Sequence, residues 1–265
     1  MKIFALIPAR GGSKGIPDKN LQKVGGKTLV SRAIHYAYKS TSLDGVVVST
    51  ESPKIISEIH STFQKLHPGI HDEDFNLEGI QTHPFIGYRG SPVLLLHQRS
   101  SSLAQDHSLI SDTLETVHSI LGLKFPDEDI YLLLLQPTTP FRGIEEIDNF
   151  LAGSKMENSY SPCVSVTKVD DFHPSRMYRV SENVLHSLGI NPENEFSPRQ
   201  ELEEIFIRDG GYYLLTPSMA RQRVPVQSQS AFFTREFPYS LNIDSPIDLV
   251  LAQFILEKKI WRDNL

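Results

Sequence analysis

Cysteine is nearly absent: Cys163 is the only one in 265 residues. A single thiol excludes an intramolecular disulfide framework and any zinc or iron–sulfur site built from cysteines. A basic surplus is missing too. Twenty-six Lys and Arg face thirty-two Asp and Glu, a net charge of −6, whereas a non-specific nucleic-acid binder carries excess cations to neutralise phosphates. An anionic ligand must therefore be met by a local basic cluster. No apolar run approaches the ~20 residues that span a bilayer. The run at residues 3–7 is interrupted at once by Pro8, Arg10 and Lys14, which does not suit a signal peptide. The expectation is a soluble, cytoplasmic protein with no nucleic-acid or membrane partner. Repeats, low-complexity tracts and Pro/Ser-rich linkers are also lacking, and residues 1–265 read as one domain.

What is present is a rhythm. Short apolar runs at residues 3–7, 46–48 and 131–135 are each followed by turn or polar residues and then by a helix-like stretch. Parallel strands covered by helices on both faces read this way. Helices are expected over 29–39, 109–121, 144–151 and 246–260. The last opens with Ser245, Pro246 and Asp248, an N-cap, a first-turn proline and a capping-box acid. Strand–helix alternation over 1–150 implies an α/β fold with a mostly parallel, right-handed sheet, whose ligands sit beyond the carboxyl ends of the strands. Two segments break the rhythm. Residues 63–98 read as a long excursion, and residues 160–208 as a small lobe.

The segment Ala9-Arg10-Gly11-Gly12-Ser13-Lys14-Gly15, continuing to Lys19 and Asn20, follows the first buried strand directly. Glycines let a backbone approach a ligand and turn its N–H groups inward as a nest for anionic oxygens. Arg10, Lys14 and Lys19 add three cations within ten residues, suited to a triphosphate. Two better-known phosphate motifs do not apply. Gly26-Lys27-Thr28 ends like a Walker A loop, but Leu21 stands where its first glycine must be, and the G-x-G-x-x-G spacing of dinucleotide folds is absent. His67 and His71, with Asp72, Glu73 and Asp74, could suggest a metal site; Pro68 and Gly69 disfavour the helix that would make them converge, so a solvated loop is expected. Cys163 reads as core.

Residues 7–20 resemble the N-terminal signature of the acylneuraminate cytidylyltransferases, the makers of CMP-sialic acid and its bacterial relatives. The resemblance recurs in order along nearly the whole chain. Arg99-Ser100-Ser101-Ser102-Leu103-Ala104-Gln105-Asp106 is similar to the family's R-P-x-E-L-A-x-D, and residues 134–142, with Gln136, Thr138 and Arg142, to its L-L-Q-P-T-S-P-L-R. His173-Pro174, Pro198-Arg199-Gln200 and Asp209-Gly210-Gly211 resemble its sugar-site and dimer-lobe segments. Residues 241–249 resemble I-D-I-D-T-x-x-D-L, with Asn242 in place of the first Asp.

The resemblance implies a three-layer, Rossmann-like nucleotidyltransferase fold with 160–208 as a dimerisation and sugar-site lobe. It implies CTP on Ala9, Arg10, Gly11, Gly12, Ser13, Lys14, Lys19, Asn20, Arg99 and Asp106. The acidic nine-carbon sugar falls to Gln136, Thr138, Arg142, Arg199, Gln200 and Asp209. Mg²⁺, or another divalent cation, falls to Asp244 with Asn242, which keeps an oxygen ligand but loses the charge. Arg10, Lys14, Lys19 and Asp244 would be the catalytic groups of a homodimer making CMP-sugar acid and pyrophosphate. The alternatives are another sugar nucleotidyltransferase, acting on 3-deoxy-octulosonate or a hexose phosphate, and a catalytically silent nucleotide-binding homologue.

Overall fold

The computed structural model describes residues 1–13, 15–66, 92–99, 110–169, 172–188 and 197–262. Lys14, Asp106, the 67–91 stretch with its histidines and the side chain of Arg199 lie outside the described residues.

The core is a seven-stranded sheet. Strands β1 (Lys2–Pro8), β4 (Gly45–Thr50), β5 (Val93–Gln98) and β6 (Ile130–Leu135) run parallel, with β1 between β6 and β4. Strand β10 (Phe206–Leu215) joins β6 antiparallel, followed by β7 (Cys163–Lys168) and β11 (Ala231–Thr234). A minor ribbon, β2 (Lys23–Val24) with β3 (Lys27–Thr28), precedes the first helix.

Alternate side chains of each strand enter different cores, because successive Cβ atoms point to opposite faces. Ile3, Ala5 and Ile7 of β1 join one cluster with α1 (Leu29–Lys39), α2 (Pro53–Leu66), α4 (Glu146–Ser154) and α6 (Pro246–Glu257). Phe4 and Leu6 join the other, with α3 (Ile110–Lys124) and α5 (Pro217–Arg221). This is the expected three-layer α/β arrangement. Helix α1 has the expected bounds, and Thr28 caps it by accepting the Ser31 N–H at 3.1 Å.

Two expectations change. The 63–98 stretch is not a simple excursion: its first residues close α2, and its last form β5, the edge strand of the sheet. Nor is 160–208 wholly a lobe. Strand β7 and the start of β10 belong to the central sheet, paired from Phe206 opposite Lys168. What projects is the hairpin of β8 (Tyr178–Ser181) and β9 (Val184–Ser187), exposed along its whole length.

From β1 the chain crosses to β4 and β5 on one side, then returns to β6 on the other. The strand order reverses between β1 and β6, and that is where an open α/β sheet leaves a crevice for ligands. Among the described residues, no helix is long and apolar enough to cross a membrane.

Candidate active site

All four parallel strands end on candidate residues. Strand β1 runs into the glycine loop, β4 into Glu51, β5 into Arg99 and β6 into Gln136. The glycine loop is closed at its base by Asn20, whose buried side chain donates to the Arg10 carbonyl at 2.9 Å. Asp18, in the left-handed region at φ 47°, turns the chain into a short helical turn, Lys19–Leu21. Asp tolerates that conformation better than most residues. The turn aims Lys19 across the crevice, where its Nζ meets Asp244 Oδ1 at 3.0 Å and donates to the Ile243 carbonyl at 3.2 Å. Gly15 lies against the same segment: a Cβ there would stand 2.8 Å from the Asp244 carbonyl oxygen. Residues 224 and 225 positions apart thus form one site, as the two motifs suggested separately.

Glu51 is a site residue that the sequence reading passed over. Its Oε1 accepts the Gly11 N–H at 2.6 Å, and its Oε2 lies 3.3 Å from Arg99 Nη2. Arg99 also donates to the Ser49 carbonyl at 3.1 Å and is only 8% exposed. Burial lowers its pKa and Glu51 opposes that shift. Arg99 thus stands beside the glycine loop, held through a carboxylate at the end of β4. That carboxylate directly follows an apolar strand, which was the available signal.

Asp244 keeps its side chain 68% exposed, with Oδ2 accepting from Asn242 Nδ2 at 2.7 Å. Asp248 closes the helix cap below by accepting the Ser245 N–H at 2.7 Å and the Asp244 N–H at 3.1 Å. Burial opposes ionisation of Asp248, but these donors and the Ser245 hydroxyl outweigh it and hold its pKa below the usual range. Asn242 approaches Asp244 through its donor end, while its Oδ1 is buried without a hydrogen-bond partner. It is built to orient Asp244 as much as to ligate. Among the described residues, no three His, Cys, Asp or Glu side chains gather as a metal site. A single exposed carboxylate beside a phosphate loop still fits Mg²⁺, which takes one or two carboxylates together with substrate phosphates.

Gln136 and Thr138 are half-buried. Gly210, at φ 79°, brings β10 against Gln136: a Cβ there would lie 2.9 Å from Gln136 Oε1 and 3.8 Å from Asn242 Cγ. Thr138 O accepts the Ile243 N–H at 2.7 Å. Gln136, Thr138, Asn242 and Asp244 therefore border one crevice with the glycine loop.

Three of the residues expected at the sugar site do not open on this crevice. Arg142 is 1% exposed and points inward, its Nη2 donating to the Gln136 carbonyl at 2.7 Å and to Thr139 Oγ1 at 2.6 Å. Its Nη atoms are taken by these acceptors and its Nε is buried without a partner, so the guanidinium does not open on the crevice. Asp209 is likewise buried, ion-paired with Arg235 at 2.9 Å and accepting from Ser165 and the Gly211 N–H. Arg235 continues to Glu146 at 3.0 Å, and Glu146 accepts the Tyr212 hydroxyl at 2.7 Å. Burial works against the Arg235 charge, but Tyr212, Glu146 and Asp209 outweigh it and raise its pKa. This network underlies the site and was not legible as such. Gln200 lines a cavity of about 370 Å³ with Lys168, His173 and Glu203, whose walls share no residue with the glycine loop or residues 136–142 and 242–244.

Taken together, a basic glycine loop at the switch point of an α/β sheet, facing a strand-end carboxylate, is an arrangement suited to the phosphates of a nucleotide. The comparisons agree. The cytidylyltransferase family model matches residues 4–67. The CMP-N,N'-diacetyllegionaminic acid synthase of Legionella pneumophila is 28% identical over 97% of both chains. The N-acylneuraminate cytidylyltransferase of Streptococcus agalactiae is 24% identical over 94% of this chain, which spans about half (52%) of that relative's length. In fold, the structure of CMP:2-keto-3-deoxy-manno-octonic acid synthetase complexed with CTP superposes with a TM-score of 0.60 at 13% identity, covering 98% of this chain and all of the other. The chain is thus similar to cytidylyltransferases, through the family model over its first strands and helices and through curated relatives along nearly its whole length.

Proposed function

We propose that the protein couples CTP to a sialic-acid-like nonulosonic acid, yielding the CMP-sugar acid and pyrophosphate. The observation that carries this reading is the convergence of the glycine loop, Gln136 and Asp244 on the β1–β6 crevice. A triphosphate suits the loop, where Arg10, Lys14 and Lys19 offset the charge that passes to the departing pyrophosphate. Ala9, Gly11, Gly12, Ser13 and Asn20 shape the loop around it, Arg99 faces the nucleotide, and Gln136 and Thr138 hold the sugar acid beside it. Positioning the anomeric hydroxyl on the α-phosphorus then does most of the catalytic work.

Asp244, oriented by Asn242, would hold Mg²⁺, which supplies charge neutralisation on the phosphates and a lower pKa for the attacking hydroxyl. Lys19 already neutralises the same carboxylate, so the loop and the metal site are electrostatically coupled. Dimerisation through the β8–β9 hairpin is part of the proposal. It is supported by Val180 and Leu185, cross-strand partners 68% and 64% exposed on one face of that ribbon. A cytoplasmic location follows from the nucleotide substrate. Similarity along the full length of a legionaminic acid synthase favours a nine-carbon acid over an eight-carbon one.

The test is pyrophosphate release from purified protein with Mg²⁺, each of the four NTPs, and a panel of nonulosonic acids, 3-deoxy-octulosonate and hexose 1-phosphates. Turnover is expected with CTP and a nine-carbon acid. Turnover only with a hexose 1-phosphate, or CTP binding without any turnover, would refute the reading.

A further inference from the structure

Arg32, Arg142 and Arg235 are the three largest fully buried side chains among the described residues. All three donate to backbone carbonyls of one segment, residues 136–141, at the carboxyl end of β6. Arg142 takes the carbonyls of Gln136 and Thr139, at 2.7 and 2.5 Å. Arg32, from α1, takes that of Pro140 at 3.1 Å, and Arg235, just past β11, that of Phe141 at 2.8 Å. The rings of Tyr212 and Phe141 fill the space between them, with Arg142 and Arg235 over Tyr212 at 5.6 and 4.8 Å and Arg32 over Phe141 at 6.0 Å.

Burying a guanidinium is costly, and apolar side chains of similar volume usually fill a core at least as well. Three buried guanidiniums converging on six residues are therefore poorly explained by stability alone. Their common effect is geometric. The segment's carbonyls are turned inward, and Gln136, whose side chain meets Gly210 beside Asn242, is left facing the crevice. Planar forks suit this task, since one guanidinium can bridge two acceptors in a fixed plane and an ammonium cannot.

We propose that Arg32, Arg142 and Arg235 are positioning residues for the sugar-acid subsite, fixing the 136–141 segment so that Gln136 meets the substrate while no guanidinium touches it. The proposal rests on the transferase reading above. Arg142→Lys keeps the charge but loses the bridge. It should raise KM for the sugar acid about tenfold, as a small misplacement of a binding group does, and leave KM and the calorimetric Kd for CTP within about twofold. In a Gln136→Ala background the same substitution should cost about twofold or less, because its effect passes through Gln136. Arg32→Lys, acting from the opposite side, should show the same split if Arg142→Lys fails to fold.

An undiminished tenfold effect in the Gln136→Ala background would mean direct contact with the substrate and overturn the proposal. So would equal losses for sugar acid and CTP, the mark of a general structural role. A wild type with no turnover of CTP and any nonulosonic acid overturns the transferase reading and this proposal with it. An active wild type with unsplit constants overturns the proposal alone.

Discussion

Replacing Arg235 by Leu tests the buried network most severely. The side chain is fully enclosed and bridges Asp209 at 2.9 Å and Glu146 at 3.0 Å, with a further bond to the Phe141 carbonyl. Leu would leave the Asp209 carboxylate, whose side chain has no solvent access, without its cation, and Glu146, whose side chain is 12% exposed, without its buried partner. Removing one partner of a buried pair costs about 3–5 kcal/mol, most of it the uncompensated charge left behind. At roughly 2–4 °C per kcal/mol for a chain of this size, the melting temperature should fall by about 6–20 °C. Neutralising one carboxylate by substitution should relieve the defect, because it discharges the orphaned site. Arg235→Leu combined with Asp209→Asn should accordingly be less destabilised than the sum of the single changes. The assay is urea unfolding of wild type, both single variants and the double variant at neutral pH. A loss under about 1 kcal/mol for Arg235→Leu, or strict additivity in the double variant, would show that the network does not hold the core as argued.

Gly11→Ala should raise KM for CTP about tenfold, since its Cβ would stand 2.8 Å from Ser52 Cβ and push the loop off Glu51. Gly122→Ala in α3, where a Cβ meets nothing within 4 Å, should leave KM alone and add ~0.5–1 kcal/mol of stability. Burial, then Arg99, lowers the His97 pKa from 6.5 to about 4. The unfolded chain therefore takes up that proton first, and about 3 kcal/mol of stability present above pH 6.5 is lost as pH falls to about 4; His97→Gln should flatten this limb in pH-dependent unfolding. Asp244→Asn should abolish Mg²⁺-dependent activity, and Asn242→Asp should keep or raise it while tightening Mg²⁺, read as rate against Mg²⁺ concentration. The reverse pattern would move the metal to another acid.

Much of the architecture was written in local periodicity. Helix α1 has the expected bounds because Thr28 supplies a cap and residues 29–37 are largely buried. The β1 loop and residues 242–244 each announced themselves by composition, and the Lys19–Asp244 pair joins them. Helix α2 was missed although Ile55, Ile59 and Phe63 repeat at helical spacing, and β5 follows a stretch of sequence with little periodicity. The roles of Arg142 and Asp209 were harder to foresee. An arginine near a binding motif suggests a ligand, and nothing local reveals that its guanidinium turns inward. The network depends on partners 26 and 89 residues apart, Arg235 with Asp209 and with Glu146, a pairing set by the antiparallel insertion of β10 between β6 and β7.

The central claim is attack of a sugar-acid hydroxyl on the α-phosphorus of CTP. It is tested most directly with a nonulosonic acid carrying ¹⁸O at the anomeric hydroxyl, incubated with CTP, Mg²⁺ and the protein, and followed by mass spectrometry. The prediction is a CMP-sugar acid that retains the label between sugar and phosphorus, with unlabelled pyrophosphate released alongside. Label lost from the product, or CMP formed without any sugar adduct, would contradict it.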